Sequence, residues 1–401
     1  MALTAASSVL LAVLVGACFH ERQPVPAASA QSASLPVWQD STSMTPEAAI
    51  YRRWQEYIRS KRGGLAVNAS TPSPLWAADE QAKWPMYDLA GFYVPDGSVS
   101  EVVSIHPAEH TRSSEYEVVT RFLLSGSTGT PRTVLTMAVY AVQLGNQWRF
   151  ANALPRRTRS WYSERIGQIT YFIEPGLRFD RSKARRAVAF VDSLAVAFEV
   201  PPLGPVDYYV TATVDGALHA LGVDYPTTFG PGGGFAKPVN RQVFAAVPHW
   251  GEEYRHELAH LVLLPLVQGR SVTIIASEGI ATWLGGTAGM DRARAAQGLR
   301  SYLSAHPTVS LDSALTLGGL PQTQTYVAGA VLCELVFRQG GTAALKQFLR
   351  MGPGPVQLRA GLLELLQRPW DRIQADWRDA LEHMAGAKAP SPNPRSQLTG
   401  P

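Results

Sequence analysis

The sequence predicts an α+β protein with two structured parts, one after the other. In the first part, residues 45–157, a helix precedes four strand-like runs. In the second part, residues 161–386, strands and helices alternate before a helical C-terminal portion. A third observation is the motif His256-Glu257-x-x-His260, whose histidine spacing is typical of a helix that holds a metal ion.

The composition is that of a globular protein of ordinary charge. With 401 residues, of which 46% are hydrophobic, the chain is long enough for two domains. The net charge of +4 is not concentrated in one basic run, so nucleic acid is not expected as a partner. Cys18 and Cys333 are the only cysteines, which excludes a disulfide framework and argues against a thiolate zinc site.

The N-terminal sequence predicts export. A short apolar segment ends in Val-Gly-Ala before Cys18, and it resembles the bacterial lipobox, in which the cysteine is lipidated. Residues 1–18 are therefore predicted to be a signal peptide, and residues 19–44, rich in Ala, Ser, Pro and Gln, a flexible tether. Two forms stay open: a lipoprotein anchored to the membrane through Cys18, or a secreted or periplasmic protein cleaved at the Ala-Ser-Ala sequence of residues 28–30.

The first structured part begins with a helix and continues as strands. A helix over residues 47–62 is predicted from Pro46 at its start and from the four-residue spacing of Ile50, Trp54 and Ile58. Strand-like runs follow over residues 101–105, 116–124, 133–142 and 147–153.

This order of elements, which ends in a strand that contains a tryptophan, resembles the nuclear transport factor 2-like (SnoaL-like) cone fold over residues 45–157. Such cones often contain a pocket, and His106, His110 and Glu117 are candidates to line it. The alternative is that these three are ordinary exposed residues of loops and sheet. Residues 156–159, Arg-Arg-Thr-Arg, mark the end of this domain and are expected to form a solvated linker.

The second structured part is predicted to open with a small mixed sheet. A strand over residues 169–173, a helix over 181–198 with one apolar face, and a strand over 206–211 come first. A glycine-rich segment and a strand over residues 242–247 then precede the helix that carries the histidine motif, predicted over residues 254–266.

The motif on this helix predicts a zinc site. His256 and His260 are one turn apart on the same face, so both can bind one ion, while Glu257 can reach a water on that ion without binding the ion itself. Glu278, eighteen residues after the second histidine and at the start of another helix, supplies a third ligand. Two histidines, a glutamate and a water form a catalytic zinc site, so Zn²⁺ is the expected cofactor. The alternative is a buried helix whose histidines make core hydrogen bonds.

Three blocks of sequence in this part resemble one known family. They are His256-Glu257-x-x-His260, Ser277-Glu278-Gly279 and Tyr326-Val327-Ala328-Gly329. Together, over residues 161–386, they resemble the gluzincin metallopeptidases of the bacterial peptidase MA-like group. The resemblance implies a zincin-like domain, in which a mixed sheet covers the zinc helix and helices form the C-terminal part. Residues 387–401 are predicted to be a disordered tail.

The resemblance implies an exported zinc metallopeptidase. Zinc lowers the pKa of its bound water and polarises the scissile carbonyl, and Glu257 is the general base. Tyr326 donates a hydrogen bond to the oxyanion, unless it is only a tyrosine packed at a helix start. The expected partners are a peptide or protein substrate, and the membrane if Cys18 is lipidated. The alternative function is a surface-anchored binding or scaffold protein whose zincin domain holds zinc but is catalytically idle.

The sequence departs from the better-known branches of this family at two points. Thermolysin-like enzymes place an aspartate, which orients a histidine, four residues after the glutamate ligand. Thr282 stands there in this chain, so Glu253 or a backbone carbonyl is expected to orient the histidine instead. The strand over residues 233–237 lacks the acid with which related aminopeptidases recognise a free amine. Lys237 and Arg241 are expected to be solvated charges, with recognition of an acidic substrate as the alternative.

Overall fold

The structure, a computed structural model, describes residues 45–60, 73–83, 98–108, 115–125, 131–224, 233–248, 250–316 and 318–386. The predicted signal peptide, tether and C-terminal tail lie outside the described residues, as does His110. The described chain has a mixed α+β fold with two sheets, which confirms the predicted fold class at this level. None of the described helices is both long enough and apolar enough to cross a membrane.

The described residues divide into two compact units. One combines residues 45–160 with residues 215–224, and the other combines residues 161–214 with residues 233–386. The structure thereby corrects one detail of the predicted division, which assigned all of residues 161–386 to the second domain. Residues 215–224 belong to the first unit because they add a strand to the sheet of that unit.

A long helix and four antiparallel strands form most of the first unit. In chain order the elements are α1 (Pro46–Ser60), α2 (Ala78–Lys83), β1 (Val99–Pro107), β2 (Glu115–Ser125), β3 (Pro131–Leu144), β4 (Gln147–Ala151) and α3 (Leu154–Arg157). The four strands pair in sequence order. The apolar face of α1 is buried, and the indole N–H of Trp54 donates to Oγ1 of Thr120 at 2.6 Å. The predicted helix and all four predicted strands are present.

Two arginines that were expected in a solvated linker are instead held by carboxylates. Arg156 donates to Oε1 of Glu80 at 2.8 Å and to Oε2 of Glu115 at 3.3 Å. Arg157 donates to Oε1 of Glu117 at 2.9 Å. Each of the two arginine side chains is only 17% exposed. The expectation was wrong because the sequence shows the run of cations but not the acidic residues that α2 and β2 bring beside it.

The second unit opens with a mixed sheet. Its elements here are β5 (Tyr162–Ile166), β6 (Ile169–Ile173), α4 (Arg181–Ala197) and β7 (Val206–Thr211), and then, after α5 (Val214–Ala220) and β8 (Val223–Asp224), β9 (Gly234–Lys237) and β10 (Gln242–Ala246). The strand order is β5-β6-β7-β10-β9, with the three central strands parallel and both edge strands antiparallel. Strand β8 is the one that pairs with β3 in the first unit.

Seven helices follow the sheet and complete the second unit. They are α6 (Arg255–Val267), α7 (Ile274–Gly285), α8 (Arg292–Ala305), α9 (Leu311–Leu315), α10 (Gln322–Leu349), α11 (Pro355–Leu366) and α12 (Trp370–Gly386). Helix α10 is interrupted at Gly340 and Gly341, where the backbone leaves helical geometry. One continuous core joins one face of the sheet to these helices, and it includes the fully buried Cys333.

The start of α6 is tied to the sheet by a buried tyrosine. The hydroxyl of Tyr208, on the central strand β7, donates to the carbonyl of Gly251 at 2.7 Å and accepts from the backbone N–H of Tyr254 at 2.9 Å. Backbone groups at the start of a helix have no partner within the helix, so an outside partner both satisfies them and fixes the position of the helix. The histidine motif begins two residues after Tyr254 and is therefore anchored to the sheet.

Helices α7 and α10 approach each other backbone to backbone. A Cβ atom added to Gly279 would lie 2.5 Å from the carbonyl carbon of Gly329, and a Cβ added to Gly329 would lie 2.1 Å from the carbonyl oxygen of Ile275. Four residues after Gly279 and five residues after Gly329 on the same helices, the indole N–H of Trp283 donates to Oε2 of Glu334 at 2.9 Å. Only glycine permits this separation, so the glycine pair sets the distance between the two helices.

This contact makes a prediction for stability. The Gly279→Ala variant should unfold more easily by about 1–3 kcal/mol, because its methyl group meets rigid backbone and forces the helices apart. Gly298→Ala is the matched control, since Gly298 lies exposed in helix α8 with nothing within 4 Å of an added Cβ. There alanine should stabilise by about 0.5–1 kcal/mol through helix propensity. Urea unfolding of both variants measures this, and equal effects in the two would contradict the close contact.

Candidate metal centre

Helix α6 brings together three of the residues singled out in the sequence. His256 and Glu257 are buried, and His260 is partly buried one turn farther on. The ring centroids of the two histidines are 5.0 Å apart. Glu278 reaches the same place from α7, whose first turn is capped by the side chain of Thr273, which accepts from the backbone N–H of Ala276.

The three candidate ligand side chains converge on one point. The Nε2 atom of His256 lies 3.1 Å from Oε2 of Glu278 and 3.3 Å from Nε2 of His260. The Nε2 atom of His260 lies 3.5 Å from Oε1 of Glu278. Ligands of these types bind zinc at about 2.0–2.2 Å, and tetrahedral angles then place them about 3.3–3.6 Å apart. The observed separations match that requirement to within a few tenths of an ångström.

The chemistry of the cluster also fits zinc. Two imidazoles and one carboxylate are a ligand set of catalytic zinc sites, and no second group of three such ligands occurs among the described residues. Burial alone would raise the pKa of Glu278, but His260 and His256 outweigh it and hold the pKa of that carboxyl well below its usual range. A buried carboxylate is thus kept ionised beside two nitrogen ligands. The residues present fit a Zn²⁺ ion.

The histidine ring of His256 is oriented by a backbone carbonyl. Its Nδ1 atom lies 2.8 Å from the carbonyl oxygen of Gly286, which leaves Nε2 as the ligand atom. Of the two expected orienting groups, the carbonyl is confirmed. Glu253 is not the partner, because its carboxylate binds Arg186 and Arg255 instead. Thr282 is fully buried on the preceding turn of α7.

Glu257 lies beside the cluster without joining it. The Oε1 atom of Glu257 is 4.0 Å from Nε2 of His256, and the carboxylate accepts a hydrogen bond from the backbone N–H of Ala236 on strand β9. Burial raises the pKa of Glu257 to about 7, and Glu278 adds to the rise while His256 and the Ala236 N–H oppose it. A nearby divalent cation would lower this pKa again. Glu257 is thus a buried acid beside the candidate ligands and is not one of them.

Helix α10 brings Tyr326 to the cluster. The side chain is 7% exposed, and its ring lies beside the ring of His256, with the centroids 6.4 Å apart and the planes at 26°. Tyr326 follows four residues after the first residue of the helix, Gln322, whose side-chain amide donates to the tyrosine hydroxyl at 2.8 Å. All five residues predicted for the site therefore lie in one region of the second unit.

His106 and Glu117, the two described candidates from the first unit, do not belong to a second group of three metal ligands. His106 is exposed on β1, and its Nε2 atom lies 3.5 Å from Oε2 of Glu117. The Glu117 carboxylate also accepts hydrogen bonds from Arg157 and from the hydroxyl of Tyr140. This group is an ion-paired cluster on the sheet. His106 is exposed, as the plainer interpretation has it, whereas the side chain of Glu117 is only 18% exposed.

Lys237 is not the solvated charge that the sequence suggested. Its side chain is only 2% exposed, and its amine lies 5.8 Å from the centroid of the Phe244 ring. Burial lowers the pKa of this amine to about 7. The expectation was wrong because all four residues of the short strand β9 are buried, which a four-residue sequence does not reveal. Arg241 is exposed, as expected.

The sequence did not identify which residue supplies the orienting carbonyl, and it missed one contact of Tyr326. The carbonyl of Gly286 has no side-chain signature, although the Gly285-Gly286 pair at the end of the helix that carries Glu278 marks an unusual backbone there. The contact from Gln322 to Tyr326 has the spacing of helical neighbours four residues apart, which is visible once the helix is known to begin at Gln322.

No family model matches this chain, and no curated protein matches it.

The cluster predicts the metal content of the protein. His260→Ala and Glu278→Gln should each lower the affinity for Zn²⁺ by more than about 100-fold, because even groups behind the ligands contribute 10- to 100-fold. Competition with a chromogenic zinc chelator measures the affinity. Zn²⁺ should also raise the melting temperature of the unaltered protein and not that of either variant, since it binds only the folded cluster.

The matched control is His306→Ala. His306 is exposed. Its Nδ1 atom lies 2.9 Å from the carbonyl oxygen of Tyr302, one turn earlier, and its ring stacks on the Tyr302 ring. Its removal should leave zinc affinity unchanged. If His260→Ala bound zinc as tightly as His306→Ala, the cluster would not be the metal site.

Proposed function

We propose that the protein is a zinc-dependent peptidase that hydrolyses peptide bonds in peptides or proteins. One observation supports this above the others: three buried or partly buried ligand atoms converge at zinc spacing beside a fourth group, Glu257, which is not a ligand. A purely structural zinc site is closed by four protein ligands. A set of three with an adjacent carboxylate is instead the arrangement that a hydrolytic site requires.

The proposed chemistry divides between the ion and three side chains. Bound Zn²⁺ would supply a Lewis acid that polarises the scissile carbonyl and lowers the pKa of water. Glu257, held by the Ala236 N–H, would accept a proton from the attacking water and deliver it to the leaving amine. Tyr326, beside His256, would donate a hydrogen bond to the oxyanion that forms at the carbonyl.

We further propose that the second unit is a gluzincin-type, zincin-like domain of the peptidase MA-like group. The support is the order of its parts: a mixed sheet with an antiparallel edge strand, the histidine helix α6 next to that strand, and the glutamate ligand on the following helix α7. The antiparallel sheet and single long helix of the first unit likewise support a cone-like, nuclear transport factor 2-like domain.

The site offers no group for recognising a free amino terminus in the place where related aminopeptidases carry one. Strand β9 consists of Gly234, Phe235, Ala236 and Lys237 and so contains no acid. Peptides with blocked and free amino termini should therefore both be included in any substrate library, so that cleavage within a chain is distinguished from removal of terminal residues.

The proposed activity predicts a chelator-sensitive cleavage. The zinc-loaded protein should cleave members of a peptide library, and a chelator should stop it. Glu257→Gln should reduce the rate by about 100-fold or more, because the amide cannot accept the proton, while zinc affinity stays within about threefold of the unaltered protein. Mass spectrometry of the digest measures cleavage, and zinc competition measures the metal.

Glu364→Gln is the control for loss of one negative charge. Glu364 is exposed on helix α11, so its change should alter neither cleavage nor zinc affinity. Zinc-loaded Glu257→Gln that cleaves as fast as Glu364→Gln would rule out the proposed mechanism. If the unaltered protein binds zinc but cleaves nothing, the result would favour the surface-anchored binding or scaffold function.

We also propose that the protein is exported and anchored through a lipid on Cys18. The support is the lipobox-like end of its apolar N-terminal segment. In bacterial cells expressing the whole chain, labelled fatty acid should enter the protein, and Cys18→Ala should abolish the label. Cys333→Ala should retain the label, because Cys333 is fully buried in helix α10 and cannot be acylated in the folded protein. Equal labelling of the two variants would refute the lipid anchor.

A further inference from the structure

The side chain of Gln322 forms a hydrogen bond with the hydroxyl of Tyr326. Gln322 is the first residue of helix α10, and its Nε2 atom donates to the hydroxyl oxygen of Tyr326 at 2.8 Å. The two residues are four apart, so their side chains lie on the same face of the first turns of the helix. Gln322 is half-buried and Tyr326 is buried, so the hydrogen bond is largely shielded from water.

The direction of this hydrogen bond matters for what Tyr326 does. A tyrosine hydroxyl has a single hydrogen to donate and accepts through its oxygen, whereas the nitrogen of a glutamine amide can only donate. Because the amide N–H of Gln322 donates to the hydroxyl oxygen of Tyr326, the hydroxyl hydrogen is directed away from Gln322. A hydroxyl that accepts one hydrogen bond is also polarised and becomes a better donor for another.

The position of Tyr326 makes that donation relevant to the metal centre. Its ring lies beside the ring of His256. Three residues farther along α10, Gly329 packs on Gly279, the residue next to the ligand Glu278. The glycine contacts fix the spacing of these helices, the Tyr326 side chain is buried, and Gln322 restricts the rotation of its hydroxyl hydrogen.

We infer that Gln322 is a positioning residue: its amide N–H turns the Tyr326 hydroxyl so that the hydroxyl donates to the oxyanion of the substrate. The inference rests on the proposed peptidase function, and it adds a residue that is neither a ligand nor in contact with the reacting atoms. Glutamine serves here because its amide nitrogen is a donor that carries no charge.

The first experiment exchanges the donor for an acceptor of nearly the same shape. In Gln322→Glu, the carboxylate can only accept, so it draws the hydroxyl hydrogen of Tyr326 toward itself. We expect kcat to fall roughly 10- to 100-fold with KM within about threefold, because the lost hydrogen bond acts in the transition state. Gln322→Lys, which restores a donor at that position, should recover most of kcat. Zinc affinity should be unchanged in both variants.

Gln324 provides matched controls on the same turn. Gln324→Glu and Gln324→Lys introduce the same charges two residues away from Gln322, where the side chain does not share a helix face with Tyr326. These variants measure the effect of charge alone on kcat. A loss in Gln324→Glu as large as that in Gln322→Glu would overturn the inference.

A double-mutant cycle with Tyr326→Phe tests whether Gln322 acts through the hydroxyl. In the Tyr326→Phe protein, which lacks the hydroxyl, Gln322→Glu should cause less than about a twofold further loss of kcat. If the two substitutions instead lower kcat by factors that multiply, as substitutions at independent sites do, the positioning role would be overturned and the peptidase function would stay intact.

A readout independent of activity separates failure of this inference from failure of the proposed function. In the ¹H–¹⁵N spectrum of the zinc-loaded protein, the side-chain amide signals of Gln322, identified by their loss in Gln322→Glu, should shift in Tyr326→Phe, and those of Gln324 should not. Gln322 signals that do not respond would overturn the inference even if cleavage is observed. A responding contact in a protein that cleaves no peptide would refute the peptidase function, and the positioning role with it.

Discussion

The metal centre depends on the close approach of helix backbones at glycine residues. Glu278 faces the histidines of α6 because the end of α7 lies against the start of α6, where a Cβ on Gly285 would stand 2.2 Å from the backbone nitrogen of His256. Tyr326 reaches the same point because Gly279 and Gly329 let α10 lie against α7. Three helices thus meet at distances that side chains would not allow, and the candidate ligands, Glu257 and Tyr326 occupy that meeting point.

The two buried glutamates show how position alone assigns chemical roles. Glu278 contacts both imidazoles, and these outweigh burial and hold its pKa well below its usual range. Glu257, one residue after a ligand, receives a single backbone N–H, and burial raises its pKa to about 7. The different surroundings of these two glutamate carboxyls thus give them different pKa values. This is the usual arrangement where one carboxyl binds and the other transfers protons.

The sequence predicts what depends on periodicity and spacing, and misses what depends on contacts between distant segments. The histidine helix, Glu278 on the next helix and most strands of both sheets follow from local patterns, so the structure has them close to the predicted places. Strands β5 and β8 were not predicted. The burial of Lys237, the ion pairs of Arg156 and the return of residues 215–224 to the first sheet are decided by neighbours far away in sequence. The carbonyl that orients His256 is backbone, so no side chain in the sequence indicates it.

That carbonyl has an electrostatic consequence for the site. An aspartate behind His256 would add a second negative charge next to the ligand set, whereas the carbonyl of Gly286 accepts the Nδ1 hydrogen without adding charge. The ligands then contribute the single charge of Glu278, so a divalent cation held by them would keep a net charge of about +1. In a buried site this unbalanced charge favours the ionised form of the nearest acid, which is Glu257. A neutral orienting group would thus add no charge that opposes the effect of a bound cation on the pKa of Glu257, which supports the proposed role of that residue as a base.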